Sequence, residues 1–213
     1  MYRIETEALV KKVHNELWKM IVSGELQPGQ KLIQDDLAIK LGVSRTPLLT
    51  AFSGLEQENL VITIPRRGVY VKQYTDRELI DLGRIFMSLE SLSVHEAALT
   101  ATRDLTALKS IQDEFDRAAN KKNEILLKQK DCDFHMEIIR IGGNNFLYNM
   151  LLSIIAILNM NGLLMGNPEK CTAEHHEIME AIVAGDPEKA KSLIYNHSDQ
   201  LIRFINEQKA GDK

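Results

Sequence analysis

QDDLAIKLGVSRTP, residues 34–47, reads as a short helix, a stop and a second helix start. The helix covers about Gln34 to Leu41. Gly42 ends it, because a left-handed residue is cheapest as glycine. Ser44 can cap the next helix, which carries Arg45 in its first turn and runs to about Glu58. Two short helices joined by a glycine-containing turn are a helix-turn-helix. Upstream, Leu9, Val13, Leu17, Met20 and Ile21 recur at helical spacing, Gly24 ends that helix, and Leu26-Gln27-Pro28-Gly29 is a turn. Downstream, Val61–Ile64 and Val69–Val71 are β-branched runs around Pro65-Arg66-Arg67-Gly68, a hairpin with a basic tip. The three pieces together predict a winged helix over residues 1–73.

Beyond Thr75 the pattern is helical throughout. Thr75-Asp76-Arg77-Glu78 is a capping box that opens a helix reaching about Ala101. Asp104 can cap a helix with Leu105, Leu108, Ile111, Phe115 and Ala118 on one face. Residues 122–141 form another, Gly142-Gly143-Asn144 breaks the chain, and an apolar helix covers 145–165. Asn167-Pro168 and Asp186-Pro187 are cap-then-proline starts for helices over about 168–184 and 187–208. The expected fold is therefore mainly α: an N-terminal winged helix-turn-helix with a small β-hairpin wing, then an all-α antiparallel bundle over residues 74–213.

Composition narrows the function. The chain has 213 residues, 44% of them hydrophobic and 26% charged, as an ordinary globular protein has. Two cysteines exclude a disulfide framework and fit a reducing cytoplasm. The N-terminal segment carries acids among its apolar residues, unlike a signal peptide, and the stretch Met150–Leu158 is far short of the ~20 apolar residues of a membrane span. The net charge of −4 divides into +2 over residues 1–73 and −6 over the remainder. That asymmetry permits a nucleic-acid-binding head on an acidic body.

The segment from Leu17 to Val71 resembles the GntR family of bacterial transcription regulators. The G-x-L-x-P-G turn (Gly24–Gly29), the L-A-x-x-L-G-V-S-R-T-P segment (Leu37–Pro47) and the R-G-x-x-V wing (Arg67–Val71) stand in the family's order and spacing. A recognition helix sets its N-terminal residues against base edges in the major groove. Arg45 can offer two donors to guanine O6/N7, and Ser44 and Thr46 can bond phosphate or base. Arg66 and Arg67 can reach phosphate or the minor groove, and Gly68 lets the wing approach the backbone. Leu49 and Thr50 replace the family's usual Arg-Glu pair, and Asp35 stands where some members carry a base. An unusual operator or weaker binding is expected. A winged helix used for protein contact is the alternative.

Asp131 and His135 are four apart on one predicted helix and share a face; His175 and His197 lie on two others. One carboxylate and three imidazoles converging in a bundle would suit Zn, Ni, Mn or Fe better than Ca. An octahedral ion held by all four keeps two open positions. His176 points about 100° from His175 and should lie on the surface. Cys171 reads as an ordinary reduced thiol.

The body resembles the FCD ligand-binding domain of the FadR branch of these regulators. The matching pieces are D-C-D-F-H (Asp131–His135) followed by Gly143-Asn144, then E-H-H-E-I-M-E-A-I-V-A-G-D (Glu174–Asp186), then Ala190 to His197. The resemblance implies that Asp131, His135, His175 and His197 form a metal site, Zn or Ni foremost, beneath a small-molecule pocket. Glu90 matches the family's Leu-Glu glutamate, but its arginine clamp position is Phe86, and Arg84 lies two residues away. Phe86, Arg84 and Asn144 are the expected pocket residues. The combined expectation is a cytoplasmic, homodimeric DNA-binding regulator, a repressor by type, that answers to a small molecule, most simply an organic acid. A sensor of the ion itself is the runner-up, and a metal-dependent hydrolase comes third, since no separate general base is evident.

Overall fold

A computed structural model describes residues 3–100, 104–163 and 167–211. The chain divides into two compact units, Met1–Tyr74 and Thr75–Lys213.

The first unit runs α1 (Arg3–Val22), β1 (Lys31–Leu32), α2 (Gln34–Leu41), α3 (Arg45–Gln57), β2 (Val61–Ile64) and β3 (Gly68–Val71). Val13, Leu17, Met20 and Ile21 of α1 are buried, and Pro47, Leu48, Ala51, Phe52 and Leu55 of α3 are too. Leu9, counted into that face by spacing, is exposed, so the packed stripe starts one turn later. Gly42 takes φ 64°, as a left-handed helix stop requires. Ser44 sits at the N-cap of α3 but its side chain makes no cap bond. β2 and β3 pair antiparallel from Val61↔Val71 to Ile64↔Gly68. The sheet gains a third strand that the hairpin reading lacks, since β1 pairs with the free edge of β3. Two residues are too few to show alternation. The Pro28-Gly29 turn delivers them: Gly29 N–H donates to Val71 O at 3.0 Å, and Val71 N–H to Gln30 O at 2.9 Å.

The second unit is all helical among the described residues: α4 (Asp76–Leu99), α5 (Thr106–Asn120), α6 (Glu124–Gly142), α7 (Asn145–Met160), α8 (Pro168–Val183) and α9 (Pro187–Gly211). The capping box is present, with Thr75 Oγ1 accepting from Glu78 N–H at 3.3 Å and Glu78 Oε2 accepting from Thr75 N–H at 2.8 Å. α4 ends at Leu99, and Ala101, where the sequence placed its end, lies outside the described residues. Asp104 bonds the N–H of Thr106, but Leu105 occupies the cap position of α5. α7 ends at Met160, and the stretch 164–165 assigned to it lies outside the described residues.

α4 packs on α6, α7 and α9, while α5 packs on α6 and α8. Val94, Ala97, Phe134, Ile138, Ile178 and Ile194 form the main core. α4 and α6 approach closely at one point. A Cβ on Gly142 would lie 2.7 Å from the backbone oxygen of Ser93, a contact that only glycine tolerates.

Candidate functional site

A buried polar cluster of the second unit is built by three helices. Asp131 and His135 share a face of α6, His175 comes from α8 and His197 from α9. All four are buried. One donor atom of each lies within 4.8 Å of the others. His135 Nε2 is 3.3 Å from His197 Nε2 and 3.8 Å from Asp131 Oδ2, and His175 Nε2 is 3.6 Å from Asp131 Oδ1. The last two separations are too long for hydrogen bonds.

Each imidazole is held from behind. His135 Nδ1 bonds Glu90 of α4, His175 Nδ1 bonds Gln112 of α5 at 3.0 Å, and His197 Nδ1 bonds Glu174 of α8 at 2.8 Å. The acceptors are braced in turn: Ser198 donates to Glu90 at 2.7 Å, Gln200 to Glu174 at 2.6 Å, and Gln112 Nε2 to Asp116 at 2.7 Å. With Nδ1 as donor, each ring turns Nε2 to the centre, where displacement of its proton by a bound cation would free the lone pair. Both oxygens of Asp131 and the Nε2 of His175 are buried with no hydrogen-bond partner. Such groups cost ~1–3 kcal/mol each if left so, and more when charged.

The electrostatics carry the same conflict. Burial raises the carboxyl of Asp131 above the usual carboxylate range, against the pull of His135 and His197. Burial drives His175 well below 6.5, helped by the charges of His197 and His135. For His135 burial acts downward, but the Glu90 carboxylate outweighs it and lifts the ring to about 9. A divalent cation at the centre would supply Asp131 and the three Nε2 lone pairs with one common partner. Donors bonded to one ion at about 2.0–2.2 Å lie roughly 3–4 Å apart, the range of the three separations above. Three imidazoles and a carboxylate suit Zn, Ni, Mn or Fe. The residues therefore fit a metal, with Glu90, Gln112 and Glu174 fixing ligand orientation as outer partners do.

The expected pocket residues do not converge in this way. Phe86 is buried in a T-shaped contact with the His135 ring, centroids 5.9 Å apart. Arg84 is exposed and pairs with Asp81, because two residues along a helix turn a side chain about 200° away. Asn144 is an exposed N-cap that accepts from Leu147 N–H at 3.1 Å. His176 is exposed and bonds Asp116 at 2.9 Å. Cys171 is buried against Phe115, Ala118 and Leu127. Burial pushes the Cys132 thiol up to about 12, which keeps it protonated and unreactive.

Sequence reasoning missed Gln112, Ser198 and the role of Glu174. One signal was available for Gln112. It stands between Leu108 and Phe115 on the buried stripe of α5, where a polar residue needs a partner.

On the first unit, Ser44, Arg45 and Thr46 are exposed at the start of α3, as are Leu49 and Thr50 one turn on. Arg45 is bonded to Asp35 of α2, Nε at 2.7 Å and Nη2 at 2.6 Å from Oδ1. Arg66 and Arg67 are exposed in the β2–β3 turn, with Arg66 at φ 64° and Gly68 at φ 108°. No described helix is long and apolar enough to cross a membrane.

Comparison with known proteins follows this division. Residues 9–71 match the bacterial regulatory proteins of the gntR family, and residues 81–200 match the FCD domain. An HTH-type transcriptional regulator of Bacillus subtilis (strain 168), YdhC, is 28% identical over 209 residues, covering 92% of this chain and 91% of that one. The HTH-type transcriptional repressor GlaR of Escherichia coli (strain K12) is 23% identical over 215 residues, covering 90% and 93%. The solved structure of E. coli McbR/YncC superposes with a TM-score of 0.83 at 25% identity, covering 94% of this chain and 98% of that one.

Proposed function

Since the chain belongs to the GntR family of bacterial transcriptional regulators and carries its FCD domain, we propose that it is a homodimeric repressor whose operator affinity is set at a metal-centred site in the helical body. The family makes it a DNA-binding transcriptional regulator and not an enzyme. The finer reading rests on one observation. Asp131, His135, His175 and His197 are buried face to face, with three of their polar atoms lacking a hydrogen-bond partner.

Asp131 and the three Nε2 atoms would hold the ion, which would act as a Lewis acid toward a carboxylate of the effector or a bound water. The head reads DNA with Ser44, Arg45 and Thr46 in the major groove and with Arg66, Arg67 and Gly68 at the wing. Two heads, one per subunit, read a pseudo-palindrome. An effector shifts their arrangement only as far as it binds one arrangement better than the other. The relative named as a repressor supports that sign, and a DNA target supports a cytoplasmic location.

Elemental analysis and native mass spectrometry of the purified chain test the site. One transition-metal ion per subunit, lost in His175→Ala, is the expected result. A metal-free protein of unchanged stability would remove it. A gel shift with Arg45→Ala tests the head.

A second reading has its own support. Phe86 fills the clamp position, and Arg84 pairs with Asp81 on the surface. A site without that arginine favours the ion itself as the signal. Metal titration of operator affinity with no organic ligand separates the two readings.

A further inference from the structure

The outward face of α3 carries a single cation in its first two turns, and that cation is already engaged. Arg45 turns one edge of its guanidinium, Nε–H with Nη2–H, onto Oδ1 of Asp35. The side chains of both residues are exposed, at 67% and 59%, so the pair stands in the water that DNA would displace. Guanidinium has five N–H donors in a fixed plane. The edge facing Asp35 is spent, but the end-on edge of Nη1 and Nη2 is open, and two parallel donors there match guanine O6/N7. The neighbouring Asp36 has the same charge and the same place in the first turn of α2, but forms no ion pair among the described residues.

We infer that Asp35 is a specificity-determining residue, one that holds Arg45 in a base-reading orientation and denies it to phosphate. This inference rests on the reading of α3 as the major-groove helix. Two physical effects support it. A guanidinium–carboxylate pair has no net charge as a unit, so it releases few counterions and adds little to sequence-independent affinity. A long side chain held before binding has less rotamer freedom to lose on the base, about 0.5–1.5 kcal/mol, or roughly 2-fold to 12-fold in affinity. Both effects act in one direction: toward the chosen sequence and away from the bulk duplex.

The test uses the full chain. Binding sites are selected from a random duplex pool, and affinity for the selected site and for an unrelated duplex is measured across a salt series. Wild type, Asp35→Asn and Asp36→Asn are compared. Asp35→Asn is expected to bind unrelated DNA more tightly, to steepen the slope of log affinity on log salt by about 0.9, and to lower the site preference by roughly 2-fold to 12-fold. Asp36→Asn should leave slope and preference at wild-type values. Equal shifts in both variants would reduce Asp35 to bulk charge and overturn the inference, as would no shift in Asp35→Asn. A wild-type chain that selects no sequence would remove the DNA reading of α3 as well. Far-ultraviolet circular dichroism confirms folding, and both aspartates are exposed.

Discussion

Arg45 in the head and His135 in the body are each held by one carboxylate, Asp35 and Glu90, in opposite surroundings. The Arg45 pair lies in solvent, while both side chains of the His135 pair are buried to within 2%. Exposed ion pairs contribute about 0–1 kcal/mol, because water competes for both partners. A buried pair has already lost its water, and removing one member strands the other at a cost of several kcal/mol. The head is thus set for sharing, since Arg45 spends one edge on Asp35 and keeps the other open. The body is set for permanence, with each of the three imidazoles held through its Nδ1 by a partner on another helix.

That contrast can be tested from its strongest side downward. Chelation should act hardest. If metal stands a thousandfold above its dissociation constant, its removal costs the body about 4 kcal/mol, or on the order of 10 °C in melting temperature for a chain this size. Calorimetry with and without chelator checks this, and Asp131→Ala should melt alike under both conditions.

The outer partners come next. Gln112→Ala and Glu90→Gln should each weaken metal binding about 10-fold to 100-fold in a competition titration with a coloured chelator. Equal loss in the exposed Arg84→Ala would mean that general destabilisation, not ligand orientation, is being read.

In the head, Arg45→Ala should cost about 1–3 kcal/mol of operator affinity and relax preference at one position per half-site. It should leave metal content untouched, and a joint loss would erase the division of labour between the units.

The smallest effect belongs to Leu49, exposed one turn from Arg45. If it covers a thymine methyl, Leu49→Ala and replacement of that thymine by uracil should each cost about fourfold, and together no more than either alone.

How much was legible in the sequence differs between the same two regions. The helix-turn-helix is written in local signals: Gly42 at the stop, the Pro28-Gly29 turn and the basic hairpin tip each act within a few residues. β1 escaped because its two residues are a strand only by virtue of their pairing with Tyr70 and Val69 of β3, far along the chain. In the body, helical spacing made Asp131 and His135 partners. That His175 and His197 join them came from the resemblance, since no spacing rule connects three helices. The bracing residues stayed hidden for the same reason. Gln112 and Glu174 bond histidines 63 and 23 positions away, so only the packed bundle pairs them. Arg84 stands on the exposed face, as the turn of about 200° between it and Phe86 requires.

The crossing of α4 and α6 at Gly142 has a bearing on how damage would spread. This glycine stands two turns, about 10 Å, beyond His135 on the same helix. Any side chain there would lever α6 off α4 and draw His135 away from Glu90. A survey of random variants scored for lost repression should therefore recover a position with no reactive group, two turns from the nearest histidine of its helix. Its sensitivity would reflect clearance between two rods rather than chemistry, and would escape any search for functional side chains.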